Sequence, residues 1–125
     1  MPRRKSPTLT EAELRLMDIL WEQEEATVAE VAAALPRRLN LAYNTVLTTL
    51  RILEQKGHVR RTKRGRGHVY SPALDRRSAR RSALRHLVSR FFNGSPELLL
   101  ANLLEDEKLD RRELARLKRL IQERG

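Results

Sequence analysis

The sequence lacks cysteine altogether, and aromatic side chains make up only 4% of its 125 residues. The absence of cysteine excludes disulfide frameworks, zinc ribbons and thiolate chemistry. Few aromatic rings also disfavour the stacking platforms that bind single-stranded nucleic acid. Apolar runs stay far below the roughly 18–20 residues that span a membrane, and the first residues lack the apolar segment of a secretory signal. We therefore expect a soluble, cytoplasmic protein.

Positive charge, in contrast, is abundant. Lysine and arginine number 26 against 16 acidic residues, which gives a formal net charge of +10. A basic surplus of this size on a small chain favours polyanions, above all nucleic acid. Nine basic side chains and one acidic side chain fall within residues 37–67. A solvated charged face would have the same composition, so the position of these residues in the fold must decide between the two.

Three helices followed by a hairpin are predicted for the first part of the chain. Residues 10–13 and 27–30 have the spacing of capping boxes, at which helices begin. A third helix is predicted over residues 42–56, because apolar residues recur there at helical spacing and a glycine follows. Alternating residues on both sides of a turn at 64–67 predict a β-hairpin. This order is that of a winged helix, whose first strand would be reduced to a piece around residues 25–27.

The third predicted helix has an apolar face and an opposite polar face. A major groove accepts one α-helix that presents short polar and basic side chains to the base edges. Asparagine pairs with adenine, arginine with guanine, and a threonine methyl group contacts the thymine methyl group. The predicted base-reading residues are Asn44, Thr45, Thr48 and Arg51.

Contacts to the DNA backbone are expected from the start of this helix and from the hairpin. Free N–H groups at a helix N-terminus attract phosphate, and cationic hairpin side chains reach neighbouring phosphates or the minor groove. Polar helix faces and basic hairpins are each common, so the prediction rests on their occurrence together and in this order. The predicted backbone contacts are Ala42, Tyr43, Arg60, Arg61, Lys63, Arg64 and Arg66.

A lobe of three amphipathic helices is predicted for the rest of the chain. Below about 80 residues a single core is thin, and this lobe has many apolar side chains to bury. Pairing with an identical lobe would bury them and would match the two-fold symmetry of a palindromic site. A monomer whose last helices fold back on the winged helix is the alternative. The predicted dimerisation residues are Leu84, Leu87, Val88, Phe91, Leu99, Leu103, Leu104 and Leu117.

The predicted fold class is therefore mainly α with a small β-hairpin wing. It comprises a winged helix-turn-helix N-terminal domain and a three-helix C-terminal dimerisation lobe. The predicted boundaries are a disordered basic arm at 1–8, the winged-helix DNA-binding domain at 9–74 and the helical dimerisation domain at 75–125.

Three segments resemble the penicillinase and methicillin-resistance repressor family. They read TEAELRLMDILW at 10–21, LAYNTVLTTLRILEQKG at 41–57 and GRGHVYSP at 65–72, and the resemblance extends over nearly the whole chain. It implies a winged-helix domain, a helical dimerisation domain and repression of transcription from a palindromic operator. In several members, a membrane sensor-transducer with a metalloprotease domain triggers inactivating cleavage, so the resemblance also implies an inducing protease as a partner.

The resemblance assigns roles to particular positions. The family's DNA-reading positions fall on Ala42, Tyr43, Asn44, Thr45 and Thr48. Several members begin this helix with serine, proline and lysine where this chain has alanine, tyrosine and asparagine, so a different operator sequence is expected.

Cleavage in the family follows an asparagine and precedes a phenylalanine. The matching bond here joins Asn102 to Leu103, which keeps the asparagine but replaces the phenylalanine. A copper-responsive branch of the family carries cysteine pairs, which this chain lacks.

An enzyme is disfavoured, because no arrangement of serine or cysteine with histidine and acid is visible. His58 and His68 flank the hairpin without a neighbouring acid, and His86 has no partner nearby for a metal. We expect no catalytic residue, metal site or cofactor. Two alternatives to a sequence-specific repressor remain, namely a winged-helix module for protein interaction and a sequence-neutral nucleoid-binding protein.

Overall fold

Helices dominate the described part of the chain, and one β-hairpin interrupts them. A computed structural model describes residues 8–39, 41–105 and 109–124, and residues 1–7 of the predicted arm lie outside the described residues. In chain order the elements are α1 (Glu11–Gln23), α2 (Val28–Ala34), α3 (Tyr43–Gln55), β1 (Val59–Arg64), β2 (Gly67–Pro72), α4 (Arg76–Phe91), α5 (Pro96–Glu105) and α6 (Arg111–Arg124). The predicted mainly α fold with a hairpin is confirmed.

Both predicted capping boxes begin helices. At α1, the N–H of Glu13 donates to Oγ1 of Thr10 at 3.2 Å, and the N–H of Thr10 donates to Oε1 of Glu13 at 2.7 Å. Thr27 and Glu30 repeat this arrangement at α2, with distances of 3.1 and 2.9 Å. Each box satisfies main-chain N–H groups that a helix start would otherwise leave without an acceptor.

The chain divides into two compact units, Met1–Ala83 and Leu84–Gly125. In the first unit, apolar side chains from α1, α2, α3 and both strands share one buried core. Val46, Leu50 and Leu53 of α3 have no exposed surface. Full burial of one such side chain contributes roughly 1.5–3 kcal/mol, so the core holds α3 in place by the face that the sequence predicts.

The hairpin closes with a two-residue turn. The strands are antiparallel and Arg64 lies opposite Gly67 at the tip. Gly65, the first turn residue, has a φ of +62°, a conformation that glycine adopts without the steric cost of a Cβ atom. A glycine with positive φ at the first position is typical of a type II′ turn, whose twist matches that of the paired strands.

A single residue outside the hairpin, Ala26, pairs with β2. The N–H of Ala26 donates to the carbonyl oxygen of Tyr70 at 2.9 Å, and the N–H of Tyr70 donates back to Ala26 at 2.8 Å. This isolated bridge lies between α1 and α2. It confirms that the first strand of the wing is reduced to a piece around residues 25–27.

The first turns of α4 are attached to α1. Nε1 of Trp21 donates to the carbonyl oxygen of Leu74 at 2.8 Å. The guanidinium of Arg76 lies 5.1 Å from the centre of the Trp21 ring and 3.4 Å from the carboxylate of Asp18. These contacts explain why the compact units divide inside α4, after Ala83, whereas the domain boundary predicted from the sequence follows residue 74.

The second unit contains the end of α4 together with α5 and α6, and none of its described side chains is buried. Both later helices begin with a side-chain cap. Oγ of Ser95 accepts the N–H of Leu98 at 3.1 Å in α5, and Oδ1 of Asp110 accepts the N–H of Glu113 at 2.8 Å in α6.

Candidate nucleic-acid interface

The polar face of α3 is exposed along its length. Its apolar residues are turned into the core, so the side chains on the opposite face point toward solvent. All four predicted base-reading residues are exposed on α3, namely Asn44, Thr45, Thr48 and Arg51.

The threonine hydroxyl groups of α3 bond to the helix backbone. Oγ1 of Thr48 donates to the carbonyl oxygen of Asn44, and Oγ1 of Thr49 donates to that of Thr45, both at 2.8 Å. Because the hydroxyl proton is taken up by the main chain, Thr48 offers a methyl group and an acceptor oxygen to a ligand. These two groups suit a thymine methyl group and a base or water donor.

The N-terminus of α3 differs from those of α1 and α2. Its N-cap is Ala42, which makes no side-chain cap hydrogen bond, and no acidic residue occupies the first turn. The first N–H groups of α3 therefore lack the side-chain acceptor that both capping boxes supply. This end of the helix carries a partial positive charge from the aligned peptide dipoles and is suited to a phosphate group. Tyr43, the first residue of α3, is exposed beside it.

Not all basic residues between positions 37 and 67 are available to DNA. Arg61 lies 3.5 Å from Glu54, and Arg64 lies 2.6 Å from Glu25. The other three predicted backbone contacts of the hairpin are exposed, and none takes part in an ion pair with the described residues. They are Arg60, Lys63 and Arg66.

Lys56, which the sequence counts in the basic stretch, points away from solvent. Its side chain is 7% exposed and its Nζ lies 2.8 Å from Oε1 of Glu13, whose side chain is 4% exposed. Burial by itself raises the pKa of Glu13, but hydrogen bonds from Lys56 and Thr10 outweigh it and hold the pKa below its ordinary value. Lys56 thus stabilises the packing of α1 against α3, and its inclusion among the cations of the basic face is corrected. No local pattern could reveal a pair 43 residues apart.

A cleft of about 280 Å³ lies between α3, the start of α2 and the hairpin. Arg51 of α3, Arg61 of β1 and His68 of β2 are among the residues that line it. Arg51 therefore shares a cleft with the wing, which a helical wheel of α3 alone does not show.

Comparison with known proteins bears on this geometry. The sequence profile of the penicillinase repressor family matches residues 9–123. The chain belongs to the penicillinase repressor family. The resemblance identified from the sequence is confirmed, and so is the prediction of a winged-helix transcriptional repressor.

Individual relatives agree with the family assignment. The repressor is 28% identical over 120 residues to the penicillinase repressor of Bacillus licheniformis. The aligned region covers 96% of this chain and 94% of that protein. It is 40% identical over 73 residues to the transcriptional regulator BlaI of Mycobacterium tuberculosis. This aligned region covers 58% of this chain and 53% of that protein. The solution structure of the DNA-binding domain of the repressor BlaI matches with a TM-score of 0.52 and 30% identity, over 61% of this chain and 93% of that domain. These relatives are transcriptional regulators, which are not enzymes.

The predicted dimerisation residues of the repressor are incompletely covered. Phe91 is 71% exposed and Leu84 is 52% exposed. Leu87, Leu103 and Leu104 also rank among the exposed large apolar side chains, whereas Val88, Leu99 and Leu117 are half-buried. Their role in dimerisation stays a prediction.

The predicted cleavage bond lies inside α5. Asn102 and Leu103 are both exposed, and Nδ2 of Asn102 donates to the carbonyl oxygen of Leu98 one turn earlier, at 2.9 Å.

Among residues 8–39, 41–105 and 109–124, no cluster of three or more histidine, acidic or cysteine side chains could hold a metal ion. Within the same ranges, no helix is long and apolar enough to cross a membrane.

Proposed function

We propose that this repressor binds a palindromic operator as a homodimer, with α3 in the major groove and the hairpin along the adjoining backbone. The observation that carries the proposal is the division of α3 into a fully buried apolar face and an exposed face of short polar side chains. A helix held by its core face in this way presents its other face to a groove at little entropic cost, because the packing already orders it.

In this proposal Asn44, Thr45, Thr48 and Arg51 read bases. Ala42 and Tyr43 place the open N-terminus of α3 against a phosphate group. Three hairpin cations without a carboxylate partner neutralise neighbouring phosphates, namely Arg60, Lys63 and Arg66. Arg61 and Arg64, which were also predicted from the sequence as backbone contacts, are paired with Glu54 and Glu25 instead. Such a role is regulatory rather than catalytic, and it places the protein with the chromosome in the cytoplasm.

The homodimer is supported by the second unit. None of its described side chains is buried and several large apolar ones, among them Leu84 and Phe91, are exposed, and large exposed apolar patches mark interfaces. Two copies related by a two-fold axis would bury them against each other and would present two α3 helices to the two halves of a palindrome.

Inactivation by a protease forms the finer part of the proposal. Proteases bind substrates as extended chains, so cleavage between Asn102 and Leu103 would require α5 to unwind locally. Within one protomer no described side chain of α5 is buried, so the cost of this opening would come mainly from the dimer contacts of α5. Intact-mass analysis of the repressor recovered from induced and uninduced cells tests this. A fragment ending at Asn102 would support cleavage there, and an uncut chain under inducing conditions would contradict it.

Selection of genomic DNA fragments by the purified protein at physiological salt tests the main proposal. An enriched two-fold symmetric sequence would establish specific recognition by a dimer. Enrichment of no sequence, together with binding that disappears as salt rises, would contradict it and would favour sequence-neutral nucleoid binding. Failure to bind any duplex would favour a module for protein interaction.

A further inference from the structure

Arg64, the last residue of β1, is held by a carboxylate from outside the hairpin. Its Nη1 donates to Oε1 of Glu25 at 2.6 Å, and its Nη2 donates to Oε2 at 3.2 Å. A two-bond fork of this kind fixes the guanidinium in position and direction more firmly than a single contact does.

Glu25 is itself well placed to act as an anchor. It directly precedes Ala26, whose main chain pairs with Tyr70 of β2 through two hydrogen bonds. Because β2 lies between Ala26 and β1 in this pairing, the ion pair bridges the hairpin from one edge to the other. Glu25 therefore joins the tip of the wing to the segment between α1 and α2.

The ion pair contributes little to folding stability. The two side chains are 62% and 46% exposed, and exposed ion pairs are weak because water screens them. Its larger consequence concerns charge at the surface that meets DNA. The carboxylate occupies the end-on pair of N–H groups of the guanidinium, offsets its charge, and repels phosphates nearby.

We propose that Glu25 is a positioning residue that limits how many phosphates the wing neutralises. Glu25 keeps Arg64 in the protein when the wing approaches DNA, so that Arg60, Lys63 and Arg66 supply the wing's backbone contacts. This inference rests on the proposed function, because it concerns the wing of a DNA-bound repressor. Its consequence is weaker sequence-independent attachment, which shortens the time spent on DNA outside the operator.

The test is the salt dependence of binding to the selected operator and to a random duplex, by fluorescence anisotropy between 50 and 200 mM salt. Each phosphate contact contributes a slope of about 0.9 in the plot of log K against log salt. Glu25→Gln frees Arg64, so we expect the slope to steepen by about 0.9 for each wing that contacts DNA, with several-fold tighter binding on both duplexes. Arg64→Ala should leave the slope unchanged, whereas Arg66→Ala should make it shallower by about 0.9 for each wing.

Two further variants serve as controls for the effect of Glu25 on the salt slope. In the double variant Glu25→Gln with Arg64→Ala, the slope should return to the wild-type value, because no guanidinium remains to be freed. Glu11→Gln, in the i,i+4 pair with Arg15 on α1, removes the same charge from an exposed pair outside the wing and should leave the slope unchanged.

Two results would overturn the inference. One is an Arg64→Ala slope as shallow as that of Arg66→Ala, and the other is an unchanged slope for Glu25→Gln. Failure of the proposed function is distinguishable, because the wild-type repressor would then prefer no sequence in the preceding selection. Circular dichroism and thermal unfolding of each variant check that the fold is intact.

Discussion

Glu13 shows how one side chain can serve two elements at once. Its carboxylate accepts the N–H of Thr10 at the start of α1 and the ammonium group of Lys56 at the end of α3. A buried charge without its partner is strongly destabilising, because water no longer solvates it and nothing replaces the lost attraction. Glu13 and Lys56 are thus tied together as a structural pair.

Replacement of Glu13 by glutamine should therefore destabilise the repressor by about 3 kcal/mol, measured as the free energy of unfolding in urea. The amide can still cap α1, so the loss reports mainly the ion pair with Lys56. Glu30→Gln is the matched control, because Glu30 caps α2 in the same way but is exposed. Its loss should stay below about 1 kcal/mol, and equal losses would contradict a role for the buried pair.

The same pair predicts a dependence on pH. The pKa of Glu13 is lower in the folded protein than in the unfolded chain, so folding is favoured by its charged form. Its contribution is complete above the unfolded pKa of about 4.3 and disappears as the pH falls through the lower folded value. The difference in unfolding free energy between the wild type and Glu13→Gln should shrink on acidification, and a constant difference would refute the assignment.

Base reading by α3 can be tested at one methyl group. Thr48→Ala removes the methyl group and acceptor that α3 exposes, so operator binding should weaken by about 1 kcal/mol, while binding to random duplex stays unchanged. Thr49→Ala removes the same atoms and the same kind of hydroxyl bond one position later and should leave the preference intact. Competition binding measures both, and an equal loss on operator and random duplex would show that Thr48 does not read bases.

Among the helices, α3 lacks the N-terminal cap that stabilises α1 and α2. In the proposed function, its uncapped N–H groups bind a phosphate group instead. Two of the first three helices begin with a full capping box, whereas α3 begins with Ala42 and no cap bond. Such a cap is worth about 1 kcal/mol. Open N–H groups are what a phosphate at this position requires.

Ala42→Asp should make this exchange visible. An aspartate at the N-cap should stabilise the protein by about 1 kcal/mol and weaken DNA binding several-fold, because its carboxylate occupies the N–H groups and repels phosphate. Ala42→Asn caps without charge and separates the two effects. Urea unfolding and operator titration measure them, and undiminished binding by Ala42→Asp would mean that this N-terminus does not meet DNA.

The exposed leucines of the second unit allow a similar test. Leu103→Glu should convert the repressor to monomers, because a charge buried in an apolar interface costs far more than the contact contributes. Leu14→Glu is a matched control, since Leu14 is 43% exposed on α1 and Leu103 is 41% exposed on α5. Sedimentation equilibrium measures the mass, and a dimer that survives Leu103→Glu would remove this residue from the interface.

For the whole molecule, the self-contained core predicts an independent fragment. Every buried apolar side chain of the described residues lies in the first unit, so residues 1–83 should fold alone. Residues 1–74 should be less stable, because they lack Arg76 and the turns of α4 that pack on Trp21. Thermal unfolding of both fragments measures this, and equal midpoints would place the boundary at the position predicted from the sequence.

Local features were predictable because their causes lie within a few residues of one another. The capping boxes join positions three apart, the hairpin turn depends on a single glycine, and the two faces of α3 follow from helical spacing. The exposed positions of Asn44, Thr45, Thr48 and Arg51 follow from the same spacing. The family resemblance rests on motifs built from these features.

The pairing of charges that are far apart in the chain depends on the tertiary structure. Lys56 and Arg64 look alike in a basic stretch, yet one is buried against Glu13 and the other is held by Glu25, 43 and 39 residues away. The division of the chain inside α4 likewise depends on Trp21, far back in α1. The elements and their faces could be predicted from the sequence because they depend on local geometry, and the sign of the charge because it depends on composition. The number of cations left free for DNA could be counted only in the folded structure. Ion pairs between residues about forty positions apart cannot be recognised from their separation along the chain.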